Sequence, residues 1–170
     1  GLLIEHAQGL AARHDLIRRA VATQIAAPRL KTLHRHAALW LAEQRFSDAL
    51  TIAAHWHAAG ESQTALAWRH RGAKQLKERG RFDQAQLLWH EVADNSLDAA
   101  QSLRAQLELA ACDLFEDLAR GHVALEAVQA KLPAVAAPEQ HRQLESRVLS
   151  ALIDNRVFAG DLGSARVHAD

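Results

Sequence analysis

The chain has 170 residues, 49% of them hydrophobic but only 5% aromatic, so alanine and leucine carry most of its apolar content. Such a composition favours closely packed helices over sheets, which draw on Val, Ile, Thr and aromatic side chains. Lys+Arg and Asp+Glu are equal at 20 each, which excludes the global basic footprint of a stand-alone nucleic-acid binder. No run approaches the ~20 apolar residues of a membrane helix, and no signal-peptide pattern opens the chain. The single cysteine, Cys112, rules out a disulfide framework within the chain and fits a cytoplasmic, reducing setting, where it reads as a small buried hydrophobe. The chain lacks methionine, begins at Gly1 inside an apolar run and stops at Asp170, so an excised segment of a longer protein is expected.

In chain order, Leu2, Leu3 and Ile4, the Gln8-Gly9 turn signal and Leu10 suggest a short β-hairpin, with a frayed helix end as the competing reading. From Asp15 a period of about 3.6 residues, carried by Leu16, Ile17, Ala20, Val21 and Ile25, predicts a helix that stops at Ala27-Pro28. A second helix is predicted from Arg29 to about Gln44, with Leu30, Leu33, Ala37, Trp40 and Leu41 on one stripe.

Beyond residue 45 a G-x-x-x-x-A signature recurs at Gly60 to Ala65, Gly80 to Ala85 and Gly160 to Ala165. Gln44 to Ala49 is a glycine-less cousin, and Gly121 to Ala127 reads as a longer copy. Glycine takes the left-handed conformation that ends a helix, and a small residue one turn later lets the next helix pack closely, so each copy is expected to join two helices. Between these turns Ala85, Leu88, Trp89 and Val92 form one stripe. Leu103, Leu107, Ala111, Leu114 and Leu118 form another, and a second line at Ala105, Leu109 and Cys112 implies neighbours on two sides of that helix. Leu144, Val148 and Leu152, with Leu149 and Ile153, repeat the pattern. Helices with two buried faces and short turns predict an all-α stacked solenoid.

The segment KQLKERGRFDQAQLLWHEV at 74–92 resembles a tetratricopeptide repeat, with Ala73, Leu76, Gly80, Phe82, Ala85 and Trp89 on its small, apolar, turn, apolar, small and aromatic positions. The order GLLIEHAQGL, RHDLIRRAV, LHRHAALWL and IAAHWHAAGESQTALAWRHRGAKQL resembles bacterial signal-transduction ATPases with numerous domains, including large LuxR-type regulators and some ATPase-linked nucleotide cyclases. The resemblance implies that residues 1–44 close a winged-helix region and that 45–170 begin a tetratricopeptide-like, right-handed superhelix of antiparallel helix pairs. It also implies a non-catalytic sensor or interaction arm of a transcriptional regulator, coupled to an ATPase domain upstream in the same chain, with no direct nucleic-acid contact by this segment. ATP would belong to that separate domain, because no G-x-x-x-x-G-K-[ST] loop occurs here and no cofactor is expected in this segment. A nucleotide-cyclase sensor arm and a plain peptide-binding scaffold are the alternatives.

Eleven histidines raise the question of metal or proton chemistry. His55 and His57, like His34 and His36, are two apart, and on a helix that separates them by about 200° around the axis, where they cannot share an ion. His14-Asp15 lacks a nucleophile placed with it, so no catalytic residue and no metal ligand is assigned. By the resemblance, His14, His34 and His55 are structural, bonding through one ring nitrogen at helix junctions. Trp40, Trp56, Trp68 and Trp89 fall on apolar stripes and are expected in the core. Between Arg69 and Arg81 there are six Lys/Arg and one acid, whereas Asp83 to Asp117 holds eight acids against Arg104 alone. Such runs read as solvated helix faces. By analogy with the repeat, however, Ala67, His70, Lys74, Lys77 and Glu78 line the groove, where His70, Lys74 and Lys77 form one ridge. His70, Lys74, Lys77 and Glu78 are therefore the candidate partner-binding residues, for a protein, peptide or small effector on the concave face.

Overall fold

The computed structural model describes residues 3–6, 9–12, 25–44 and 47–160. Strands β1 (Leu3–His6) and β2 (Gly9–Ala12) pair antiparallel, with Leu3 opposite Ala12 and His6 opposite Gly9. The expected hairpin is present, with Gly9 inside the second strand rather than in the turn. The helix expected from Asp15 lies outside the described residues apart from its last positions.

Seven helices follow among the described residues: α1 (Ala27–Glu43), α2 (Ala49–Ala58), α3 (Ser62–Glu78), α4 (Phe82–Asn95), α5 (Ala99–Glu116), α6 (Leu118–Lys131) and α7 (Pro138–Phe158). Their ends are written in local chemistry. Pro28 and Pro138 occupy first turns, where a missing N–H costs nothing. Asp48, Asp98 and Asp117 cap α2, α5 and α6 by accepting backbone N–H bonds from Thr51, Ala100 and Ala119. Helices α2 and α3 end on Gly60 and Gly80 at φ +86° and +73°. In each, the N–H of the following residue reaches back five positions, Glu61 to Trp56 and Arg81 to Leu76, so the last carbonyls are satisfied. Ala65 and Ala85, five places after these glycines, are fully buried, as the signature requires. Gly160 ends α7 at φ +78°, while Ala165 lies outside the described residues.

Gly121 behaves otherwise. It lies inside α6, not at a turn, and the break before that helix falls at extended Asp117 (φ −153°). A Cβ on Gly121 would stand 2.5 Å from Leu114 Cδ2 and 2.7 Å from the Leu114 backbone nitrogen, so the glycine is there for close helix approach. Two expectations are corrected with it: Ala127 is exposed rather than a packing alanine, and Leu118 starts α6 instead of extending the α5 stripe.

Successive helices run antiparallel. Gln63 at the start of α3 bonds the Asn95 carbonyl at the end of α4, and Gln75 near the end of α3 accepts from Ala49 N at the start of α2. Among the described residues three cores follow one another along the chain. Ala38, Ile52, Trp56 and Ala65 fill the space among α1, α2 and α3. Leu66, Ala73, Ala85, Trp89, Val92, Ala105 and Cys112 join α3, α4 and α5. Leu103, Leu107, Ala110, Leu125, Val128, Leu144, Val148 and Leu152 join α5, α6 and α7. Helices α3 and α5 each serve two cores, which is the two-sided burial that the paired apolar lines of α5 imply. Two residues of the α1 stripe depart from expectation: Leu33 and Trp40 are 46% and 56% exposed, because α1 turns Ala38 instead towards α2.

Candidate functional site

Two strips of charged residues on alternate helices meet. On α3, His70, Lys74 and Lys77 share one face at i, i+4 and i+7; on α5, Arg104 and Glu108 share the strip between the helix's two apolar lines. Glu108 is only 7% exposed. Lys77 Nζ donates to its Oε2 at 3.1 Å, Arg147 Nη2 on α7 donates to Oε1 at 2.9 Å, and Lys74 Nζ stands 3.8 Å from Oε1. One carboxylate thus gathers cations from two other helices. Burial pushes the Glu108 carboxyl up, but Lys77, Arg147 and Lys74 outweigh that and hold it below its usual range. A buried carboxylate survives as an ion only with such partners.

The same groups act on His70. Burial first, then Lys74, Arg104 and Arg147 lower its pKa to about 4, against the opposing pull of Glu108. The imidazole is therefore neutral at pH 7, and the local potential is positive. Arg104 has no carboxylate partner among the described residues. Three cations meet this one carboxylate and Arg104 stands one turn before it on α5, so cations outnumber the carboxylate they share on the surface formed by α3, α5 and α7.

The structure brings together three of the four sequence candidates. Glu78 is exposed, and one step along the helix from Lys77 it points about 100° away from the cluster, so it is not part of it. Arg104, Glu108 and Arg147 were missing from the expectation. A single acid inside the apolar run LRAQLELAACDL was the available signal for Glu108, since an isolated charge there needs partners from elsewhere. Nor is the basic run simply a free ridge, because Arg69 pairs with Glu91 on α4 and Lys77 with Glu108.

Beside the cluster lies a cavity of about 350 Å³ lined by Lys77, Phe82, Asp83, Gln86, Cys112 and Glu116. Lys77 connects the two: it lines the cavity and its ammonium sits 5.6 Å from the centre of the Trp89 ring. Cys112 is buried and its thiol is pushed up, chiefly by that burial, so it is protonated at neutral pH.

His34 and His55 sit together at the α1–α2 junction, Nδ1 to Nδ1 at 2.9 Å. One ring nitrogen donates and the other accepts, the tautomer deciding which, and burial followed by the His34 neighbour lowers the His55 pKa. Trp56 and Trp89 are in the core and Trp68 is packed against it, whereas Trp40 is not. Among the described residues no helix is long and apolar enough to cross a membrane. No protein family, curated protein or solved structure matches the chain.

Proposed function

We propose that the chain is the non-catalytic sensor or interaction arm of a multidomain bacterial transcriptional regulator, built as a tetratricopeptide-like right-handed superhelix. The observation that carries this reading is the alternation of roles among the helices. Helices α3, α5 and α7 supply every residue of the charged cluster, which is what a groove lined by the first helix of each pair requires. The glycine-ended hairpins at Gly60 and Gly80 and the run of cores shared between neighbours support the repeat reading. The β1–β2 hairpin supports a winged-helix remnant in residues 1–44. In this account a protein, peptide or small effector binds the α3–α5–α7 face and biases an attached ATPase module of the same cytoplasmic protein through differential affinity for its two states. ATP is bound by that module and not by this segment.

The test is the reading frame around the chain. A phosphate-binding G-x-x-x-x-G-K-[ST] loop upstream together with a helix-turn-helix at either end is the expected result. A cyclase catalytic domain in place of the helix-turn-helix would transfer the arm to a nucleotide cyclase, and a frame with neither would overturn the regulator reading.

A further inference from the structure

We infer that the cationic surface around Glu108 is a binding site for a small phosphate-bearing molecule, held jointly by Lys74 of α3, Arg104 of α5 and Arg147 of α7. The inference rests on the reading of this face as the effector groove and names the chemistry of the effector.

Three observations lead there. The first is charge: Lys74, Lys77 and Arg147 meet the one carboxylate of Glu108, Arg104 stands one turn before it on α5, and His70, which feels Lys74, Arg104 and Arg147, is held neutral. That surplus of cations favours an anionic ligand. The second is donor capacity. Lys77 is committed to Glu108 and to the Trp89 face, but Lys74 lies at 3.8 Å, beyond hydrogen-bond distance, and keeps its N–H groups. Arg147 spends one nitrogen on Glu108 and keeps the rest of its fork, and Arg104 has no carboxylate partner among the described residues. Guanidinium forks match phosphate oxygens bidentately, and two of them with an ammonium suit a group that offers three acceptor oxygens. The third is compactness. Lys74 and Arg147 reach the same carboxylate and Arg104 lies one turn before it on α5, so the three charges are gathered around one spot instead of tracking an extended chain. A single multiply charged head group fits that arrangement better than an acidic peptide, whose carboxylates are spread along a backbone.

Glu108 then has a second part to play. It holds the cations in place when the site is empty and weakens the binding of any anion by repulsion, so release is built in. A bound phosphate would also tie α3, α5 and α7 to one another, which converts occupancy into a fixed spacing of the three helices.

The experiment is calorimetric titration of the chain with inorganic pyrophosphate at constant ionic strength, with phosphate and a poly-glutamate peptide as parallel probes. Saturable pyrophosphate binding that weakens as salt is raised is expected, with a loss of tenfold or more in Arg104→Gln. Lys74→Gln should weaken it several-fold, while Arg120→Gln, whose partners are Asp113 and Glu116, should leave it unchanged. Arg104→Gln removes no ion pair among the described residues, so its circular dichroism and melting temperature should match the parent. Absence of saturable binding, or equal loss in Arg120→Gln, would overturn the site. Tighter binding of the peptide than of pyrophosphate would overturn the ligand class while leaving the sensor reading, which stands or falls on the reading frame, intact.

Discussion

Lys77 and Glu108, 31 positions apart, are joined by a 3.1 Å hydrogen bond between α3 and α5, and the same ammonium lies over the Trp89 ring. The bond links the polar face to the core beneath it. Removing the carboxylate strands three cations that it holds in place. Glu108→Ala should therefore cost about 2–3 kcal/mol in urea unfolding, a buried ion-pair loss moderated because its partners reach water. Arg104→Gln should change stability by less than about 0.5 kcal/mol. Equal costs would mean that Glu108 is not the centre of the cluster.

Stability should fall as pH drops from about 6.5 to about 4, the interval between the ordinary and the folded-state pKa of His70. A histidine held neutral by burial binds a proton more readily in the unfolded chain, so acid favours unfolding throughout that window. His55 adds to the loss in the same direction. Glu108, whose pKa is lowered in the folded chain, contributes stability above the usual carboxylate range that is lost below it. Thermal melts across this range should show a monotonic decline, and His70→Gln should flatten its upper part by about 1–2 kcal/mol after allowance for solvent screening. A flat profile in the parent chain would contradict the placement of His70.

Two glycines of similar appearance in the sequence should respond differently to alanine. Gly80→Ala meets no atom within 4 Å, so only its positive φ is strained, a cost of about 1 kcal/mol. Gly121→Ala drives a methyl into the Leu114 backbone and should cost about 2–3 kcal/mol. Chemical denaturation of the two variants decides the order, and a reversed order would return Gly121 to a turn.

Cys112 should react slowly with a thiol reagent in the native chain and at the rate of an ordinary thiol in denaturant, because it is buried and protonated. Fast native reaction would place it on an open wall of the neighbouring cavity.

The helices were legible wherever apolar residues recurred with helical period. Ala85, Trp89 and Val92 are buried as their spacing implies, and the two lines on α5 correspond to two cores. Gly60 and Gly80 were legible because a left-handed turn has few alternatives to glycine. Gly121 was not, since a glycine for close packing and a glycine for a turn look alike until the neighbour across the helix is known. Asp117, the residue that caps α6, was hidden for the same reason. At the candidate site, the i, i+4, i+7 spacing on α3 found Lys74 and Lys77, but their counter-charge lies 31 or more residues away and depends on the register of later helices. Trp40 shows the limit of periodicity: it places a side chain on a stripe without saying whether another helix covers it.

The claim that the α3–α5–α7 face receives an effector is tested most directly by hydrogen–deuterium exchange of the chain with and without saturating pyrophosphate. Slower exchange confined to α3, α5 and α7, and absent in Arg104→Gln, is the predicted result. Slowing on α2, α4 and α6 instead, or no change on any helix, would contradict it.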